Sequence, residues 1–214
     1  VIMEGRGLPA KAAFPDSFSY GNEAVETVSY DPEGAKKLLE ESGWKDTDGD
    51  GCADKDGQKL TIDWLTYPTR LEQPKLAEYA QATLKEIGID VVVNNTSDHM
   101  TYAADGNFDV YVSSTTTAPT GDPEYFFTST VVGPKNYGKY ENKEVTALTE
   151  KLHQAFEPEE RAKLATELQQ KILDDDGFFF VSHLNMGIVT KSNVKGMAAH
   201  PCDYYEITAD LDVE

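Results

Sequence analysis

The sequence predicts an α/β fold, a mixed sheet flanked by helices, and three observations predict it. Helix-like and strand-like stretches alternate with short connections from residue 31 to 114, the rhythm of an α/β layer structure. Two amphipathic helices then follow one another, near 142–156 and 158–174. Gly43 and Gly88 stand where two of the earlier helices should stop.

Residues 1–30 are rich in Gly, Pro, Ser and aromatics and read as an irregular segment crossing a surface. In YDPEGAKKLLEESGW, Asp31 is a good N-cap and Pro32 suits the first helical position. Leu38 and Leu39 supply its apolar face, and Gly43 ends it. KLTIDWLTY, 59–67, alternates as a half-buried strand does. A second helix spans 71–87, with Leu76, Tyr79, Ala80, Thr83, Leu84 and Ile87 on one face. IDVVV, 89–93, is a β-branched run typical of a buried strand. FDVYVSS, 108–114, is a third strand, followed by the polar loop TTTAPTGDP. Val145, Leu148, Leu152 and Phe156, then Leu164, Leu168 and Ile172, recur at helical spacing, with Pro158 restarting the second helix. FFFVSH, 178–183, and MGIVTK, 186–191, read as strands. The whole reads as an α/β body over 31–177, preceded by the irregular 1–30 and followed by a tail, 178–214.

The composition narrows the function classes. At 214 residues, 39% of them hydrophobic, the chain can bury a core. No run approaches the roughly eighteen apolar residues of a membrane span. The net charge of −19, from 38 acidic against 19 basic residues, repels phosphate backbones and anionic membranes, which argues against nucleic-acid binding. No nucleophile elbow, phosphate loop or dinucleotide fingerprint is present, so nothing points to an enzyme. Val1 is no initiator and is read as an internal residue of a longer protein. Cys52 and Cys202 are far apart, and whether they pair is open.

DTDGDGCADKDG, 46–57, opens like a calcium loop. Asp46, Asp48 and Asp50 alternate, Gly51 permits the sharp turn, and Asp54 follows. The end departs from the pattern, because Gly57 stands where the bidentate Glu should be. Two readings follow: a structural calcium that organises an extracellular interaction module, or a solvated Asp/Gly turn. His153 reads as a surface residue, His183 as the rim of an apolar strand, and His200, beside Tyr204 and Tyr205, as a candidate ligand.

The order of segments carries a resemblance. YDPEGAKKLLEESGWKDTDGDG, KDGQKLTIDWLTY, LAEYAQATLKEIGIDVVV, FDVYVSS, GDPEYFFTS and FFFVSHLNMGIVTKSNVKG together resemble the family 5 extracellular solute-binding proteins of bacterial ABC importers. The resemblance covers about nine-tenths of the chain, and AAFPDSFSYG looks like the stretch that joins the family's lobes.

It implies the C-terminal lobe of a type II periplasmic-binding-protein-like fold, in a family whose members are about twice as long. Residues 178–214 would return toward the other lobe. It also implies a non-enzymatic receptor outside the cytoplasmic membrane, periplasmic or anchored to the cell surface as a lipoprotein. The receptor would be monomeric, would close on a nickel complex or short peptide, and would deliver it to a permease. Thr115, Thr116, Thr117 and Asp122 would line the ligand cleft, since the family's loop there ends in an Asp-Pro like Asp122-Pro123. Many peptide binders place a Trp and an Asp where Thr116 and Pro119 stand, and nickel binders a Trp and a Tyr where Thr116 and Thr120 stand. A nickel complex would therefore look to other groups, with His183 and His200 as candidates. The loop 46–57 would merely join a helix to a strand, and no cofactor is required.

Overall fold

The computed structural model describes residues 2–185, 187–199 and 207–214. In chain order these carry β1 (Gly7–Pro9), α1 (Pro32–Glu41), β2 (Asp54–Lys55), β3 (Gln58–Lys59), β4 (Thr61–Thr66), α2 (Glu72–Lys85) and β5 (Asp90–Asn95). Then come α3 (His99–Asp105), β6 (Val110–Tyr111), α4 (Glu124–Phe126), α5 (Lys143–Gln154), α6 (Pro158–Asp174), β7 (Ser182–Leu184), β8 (Val194–Lys195) and β9 (Asp212–Val213). They form two units, one of Val28–Ser114 and one of Met3–Thr27 with Thr115–Glu214. The α/β body expected over 31–177 is thus shared between the two units.

The first unit is built on a parallel sheet ordered β5-β4-β6. The β-branched runs set its register, with Ile62 opposite Val91 and Trp64 between Val93 and Val110. Leu65 and Val91 are buried in it. β6 is shorter than expected: Asp109 N and Val112 N, on either side of it, still bond to Asp63 O and Leu65 O, but two nearby amides turn to side chains. Asp63 N donates to Asp109 Oδ2 at 2.8 Å and Ser114 N to the Tyr67 hydroxyl at 3.0 Å. Gly88, at φ +86°, turns the chain from α2 toward β5 and accepts a bond from Ala53 N at 2.7 Å. Asp31 caps α1 through Gly34 N at 2.9 Å, as its sequence suggests. The apolar face expected of α1 stays open: Leu38 is 64% exposed and no residue of the helix is buried. In α2 the deepest positions are Gln73 and Ala77, whereas Tyr79, expected on the packed face, is exposed.

The second unit has the larger core. α5 and α6 bury Val145, Leu148, Leu152, Leu164, Ala165, Leu168 and Ile172 against Phe14, Phe126 and Phe127. Each such large side chain contributes about 1.5–3 kcal/mol of burial. Phe14, fully buried, meets Tyr20 edge-on at 5.0 Å and Phe126 at 6.0 Å. Residues 3–27 are part of this unit, and their backbone is largely irregular. Gln169 fastens them to α6, accepting from Ala13 N at 3.1 Å and donating to Tyr20 O at 2.8 Å. β1 pairs antiparallel with β7, Leu8 opposite His183. The strand expected over 178–183 shrinks to Ser182–Leu184 because Phe178 and Phe180 turn onto Phe126, each at 5.9 Å. Residues 187–191, also expected as strand, form none, and Met186 lies outside the described residues.

Candidate ligand-binding site

The segment 115–124 leaves the hydroxyls of its first residues open and ties its last residues down. Thr115 is exposed, Thr116 and Thr117 are half-buried, and none of their hydroxyls bonds to another described residue. Gly121, at φ +78°, closes a turn by donating to Ala118 O at 3.0 Å. Its carbonyl accepts from the Tyr20 hydroxyl at 3.0 Å, whose pKa burial, helped by Asp122, pushes up to about 12. Asp122 Oδ1 accepts from Glu124 N at 2.8 Å, and Pro123 is buried.

Arg161, on α6, grips this end. Its Nε donates to Asp122 Oδ2 at 2.8 Å and its Nη2 to Asp122 Oδ1 at 2.6 Å, a bidentate pair. Nη2 also reaches Glu124 Oε2 at 2.9 Å, while Nη1 donates to Leu152 O and Ala155 O at the end of α5, at 2.7 and 2.6 Å. All five N–H bonds of the guanidinium thus have acceptors. Glu124 Oε1 lies 2.6 Å from His153 Nδ1. Burial raises the Glu124 carboxyl, but His153 and Arg161 together outweigh burial and hold it below its usual value. The same hydrogen bond and the charge of Glu124 raise His153. The sequence singles out Asp122 but not Arg161; His153 is exposed, as its surface reading expects, and bonds to Glu124. The available signal was an Arg on the inward side of a helix among Leu164, Leu168 and Ile172.

His183, on β7, is half-buried and its Nε2 lies 3.1 Å from Asn22 Oδ1. That oxygen already accepts from Lys11 N at 2.9 Å and Ala12 N at 3.1 Å, and Asn22 Nδ2 donates to Pro9 O at 3.2 Å. Facing an acceptor, His183 carries its proton on Nε2 and keeps Nδ1 as the one nitrogen able to bind a metal. Burial lowers its pKa, against an opposing pull from Asp16. His200 and Cys202 lie outside the described residues.

In the other unit a polar and aromatic cluster stands at the carboxyl ends of the parallel strands, where open α/β sheets present ligand-binding residues. Tyr67, after β4, stacks on His99 at 4.1 Å and 20°. His99 Nδ1 lies 2.7 Å from the Tyr111 hydroxyl, and Ser114 Oγ accepts from Gln73 Nε2 at 3.0 Å. No sequence motif marks this cluster, because its members come from the ends of β4 and β6 and from α2 and α3.

The acidic loop is largely self-satisfied. Asp46, Asp48 and Asp50 are exposed, with carboxylate oxygens within 4.8 Å of one another. Asp46 accepts from Gly49 N and Gly51 N, at 2.7 and 2.9 Å, and Asp50 from Cys52 N at 2.9 Å. Asp54, expected as a further calcium ligand, turns instead to Thr47, accepting from its N and Oγ1. Lys59 is ion-paired with Asp50 and lies 3.9 Å from Asp48. In this structure a lysine ammonium supplies the counter-charge, and the carboxylates are arranged as Asx turns.

Comparison with known proteins gives the frame for these features. A model of the bacterial extracellular solute-binding proteins, family 5 (middle region), matches residues 1–138. The oligopeptide-binding protein AppA of Bacillus subtilis is 28% identical over 214 residues, 96% of this chain and 39% of that protein. The nickel-binding periplasmic protein of Escherichia coli is 33% identical over 129 residues, 59% of this chain and 24% of that protein. Among solved structures, AppA in complex with a nonapeptide superposes with a TM-score of 0.78 at 25% identity, covering 94% of this chain and 41% of that one. NikA of Staphylococcus aureus with Ni(L-His)2 superposes at 0.77 and 24% identity, covering 98% and 43%, a likeness of fold. The chain spans about two-fifths of the length of AppA and of NikA.

Proposed function

Because this chain belongs to the bacterial extracellular solute-binding proteins of family 5, we propose that it is the solute-receiving component of an ABC importer, acting outside the cytoplasmic membrane. The family consists of binding proteins, not enzymes. The observation that carries the proposal is the family match over residues 1–138, joined to a fold shared along nearly the whole chain with a peptide-binding relative. The ligand is a nickel complex or a short peptide, and lobe closure over it creates the form that docks on a membrane permease. Thr115, Thr116 and Thr117 line the ligand cleft. If the solute is a nickel complex, His183 would offer Nδ1 and His200 a further imidazole. The receptor works as a monomer, periplasmic or anchored to the cell surface as a lipoprotein. No helix among the described residues is long and apolar enough to cross a membrane.

Elemental analysis of the protein as its gene encodes it, purified without chelators from its own source, tests the choice of ligand. Nickel in a one-to-one ratio selects the metal complex. Absence of nickel, with peptide recovered from the denatured protein, selects the peptide.

A further inference from the structure

We infer that Arg161 is a positioning residue for the ligand: it locks 118–124 so that Thr115, Thr116 and Thr117 meet the solute with hydroxyls, while Asp122 serves as a strut. The inference rests on the reading of 115–124 as ligand-lining. Its basis is that every N–H of the Arg161 guanidinium is used and that Asp122 already accepts three bonds. Asp122 Oδ2 holds Arg161 Nε, and Oδ1 holds both Arg161 Nη2 and Glu124 N. A ligand ammonium at this carboxylate would compete with the bidentate pair for the same two oxygens. Arg161 is itself mostly covered, its side chain 15% exposed, so breaking the pair would strand a charge away from water.

The guanidinium also sets the charge of the segment. Asp122 and Glu124 are the acids of 115–124, and Arg161 bonds to both. The face that remains offers neutral hydroxyls and backbone groups. It suits a solute part that exchanges hydrogen bonds with hydroxyls, and it does not supply the carboxylate that a free ammonium needs. The same residue ties the segment to the end of α5 through Leu152 O and Ala155 O, so the threonines are mounted on two packed helices. Such a mounting reduces the ordering cost of binding. Lysine cannot substitute, since a point charge lacks the planar fork that spans Asp122, Glu124 and two carbonyls.

The test compares Arg161→Lys and Asp122→Asn with the parent protein, as its gene encodes it and well below its unfolding temperature. Hydrogen exchange is followed at Gly121 and Glu124, with Val145 and Leu148 as internal references. Affinity is measured for three probes: Ni(II) with L-histidine, a nonapeptide with a free amine, and the same peptide N-acetylated. The expected result is exchange about tenfold faster at Gly121 and Glu124, unchanged protection at Val145 and Leu148, and affinity about tenfold weaker for the probe that binds. Asp122→Asn should do the same and penalise free and acetylated peptide alike. Unchanged exchange, or faster exchange with unchanged affinity, overturns the positioning role. An Asp122→Asn loss confined to the free-amine peptide overturns the strut, because Asp122 would then touch the ammonium. If the parent protein binds no probe, the receptor reading fails and takes the ligand role of Arg161 with it. That outcome is distinct from a parent that binds and variants that bind equally well.

Discussion

His183 donates its Nε2 proton to Asn22 Oδ1 across 3.1 Å, and the same oxygen receives Lys11 N and Ala12 N. One buried amide therefore organises the turn after β1 and fixes the imidazole tautomer. Asn22→Leu, which keeps the size and removes every acceptor, should destabilise the protein by about 1–3 kcal/mol. Urea unfolding followed by fluorescence checks this, and a change within a few tenths of a kcal/mol would mean that solvent replaces the lost bonds.

Two histidines of the same unit should respond to pH with opposite sign. Burial lowers His183, so its neutral form is favoured in the folded state. That contribution is present above the unfolded value of about 6.5 and is lost as pH falls below it toward the folded pKa. Glu124 raises His153, so its contribution is full below about 6.5 and is lost as pH rises through the folded value. His183→Gln should flatten the acid side of the stability profile, and His153→Gln should remove a gain seen below neutrality. Urea midpoints from pH 5 to 8 would reveal both, and equal slopes in parent and variants would refute the assignments.

Gln169 is fully buried yet bonded at both ends of its amide, to Ala13 N and Tyr20 O. Gln169→Leu preserves volume and leaves both backbone groups without partners. A loss of about 1–3 kcal/mol is expected, with faster exchange at Ala13. A neutral or stabilising change would show that the segment 10–20 is held by Phe14 packing alone.

Gly88 sits at φ +86°, and a Cβ there would lie 3.2 Å from Ala53 N. Gly88→Ala should cost about 1–2 kcal/mol from the left-handed backbone, with a further part from the crowding. Thermal unfolding measures it, and an unchanged midpoint would mean that the loop shifts freely.

The acidic loop should ignore calcium. With Lys59 beside Asp50 and Asp48 and with Asp54 held by Thr47, millimolar calcium should leave the unfolding temperature within about 1 °C, in the parent protein and in Asp48→Asn alike. A large calcium-dependent rise abolished by Asp48→Asn would restore the calcium module.

Much of the fold is legible in the sequence. The boundaries of α5 and α6 follow from Leu148, Leu152, Leu164 and Leu168 at helical spacing, with Pro158 between them, and the cap of α1 follows from Asp31 and Pro32. Less legible is what a helix does with its apolar side: Leu38 looks like a core residue and lies in the open. The parts of the candidate site that escape the sequence are those made by distant partners. Asp122 and Arg161 are ordinary charged residues until the turn at Gly121 brings them together. Asn22 likewise has no local signal, since its partners come from 9–12 and from 183. The units also resist prediction, because Phe14 packs with helices that begin more than a hundred residues later.

The most direct test of the receptor account is calorimetric titration of the protein as its gene encodes it, with Ni(II) plus L-histidine and, separately, with a nonapeptide. One-to-one binding of one of these at about 1 μM or tighter is expected, a free energy of about −8 kcal/mol. Failure of both to bind a folded preparation would contradict it.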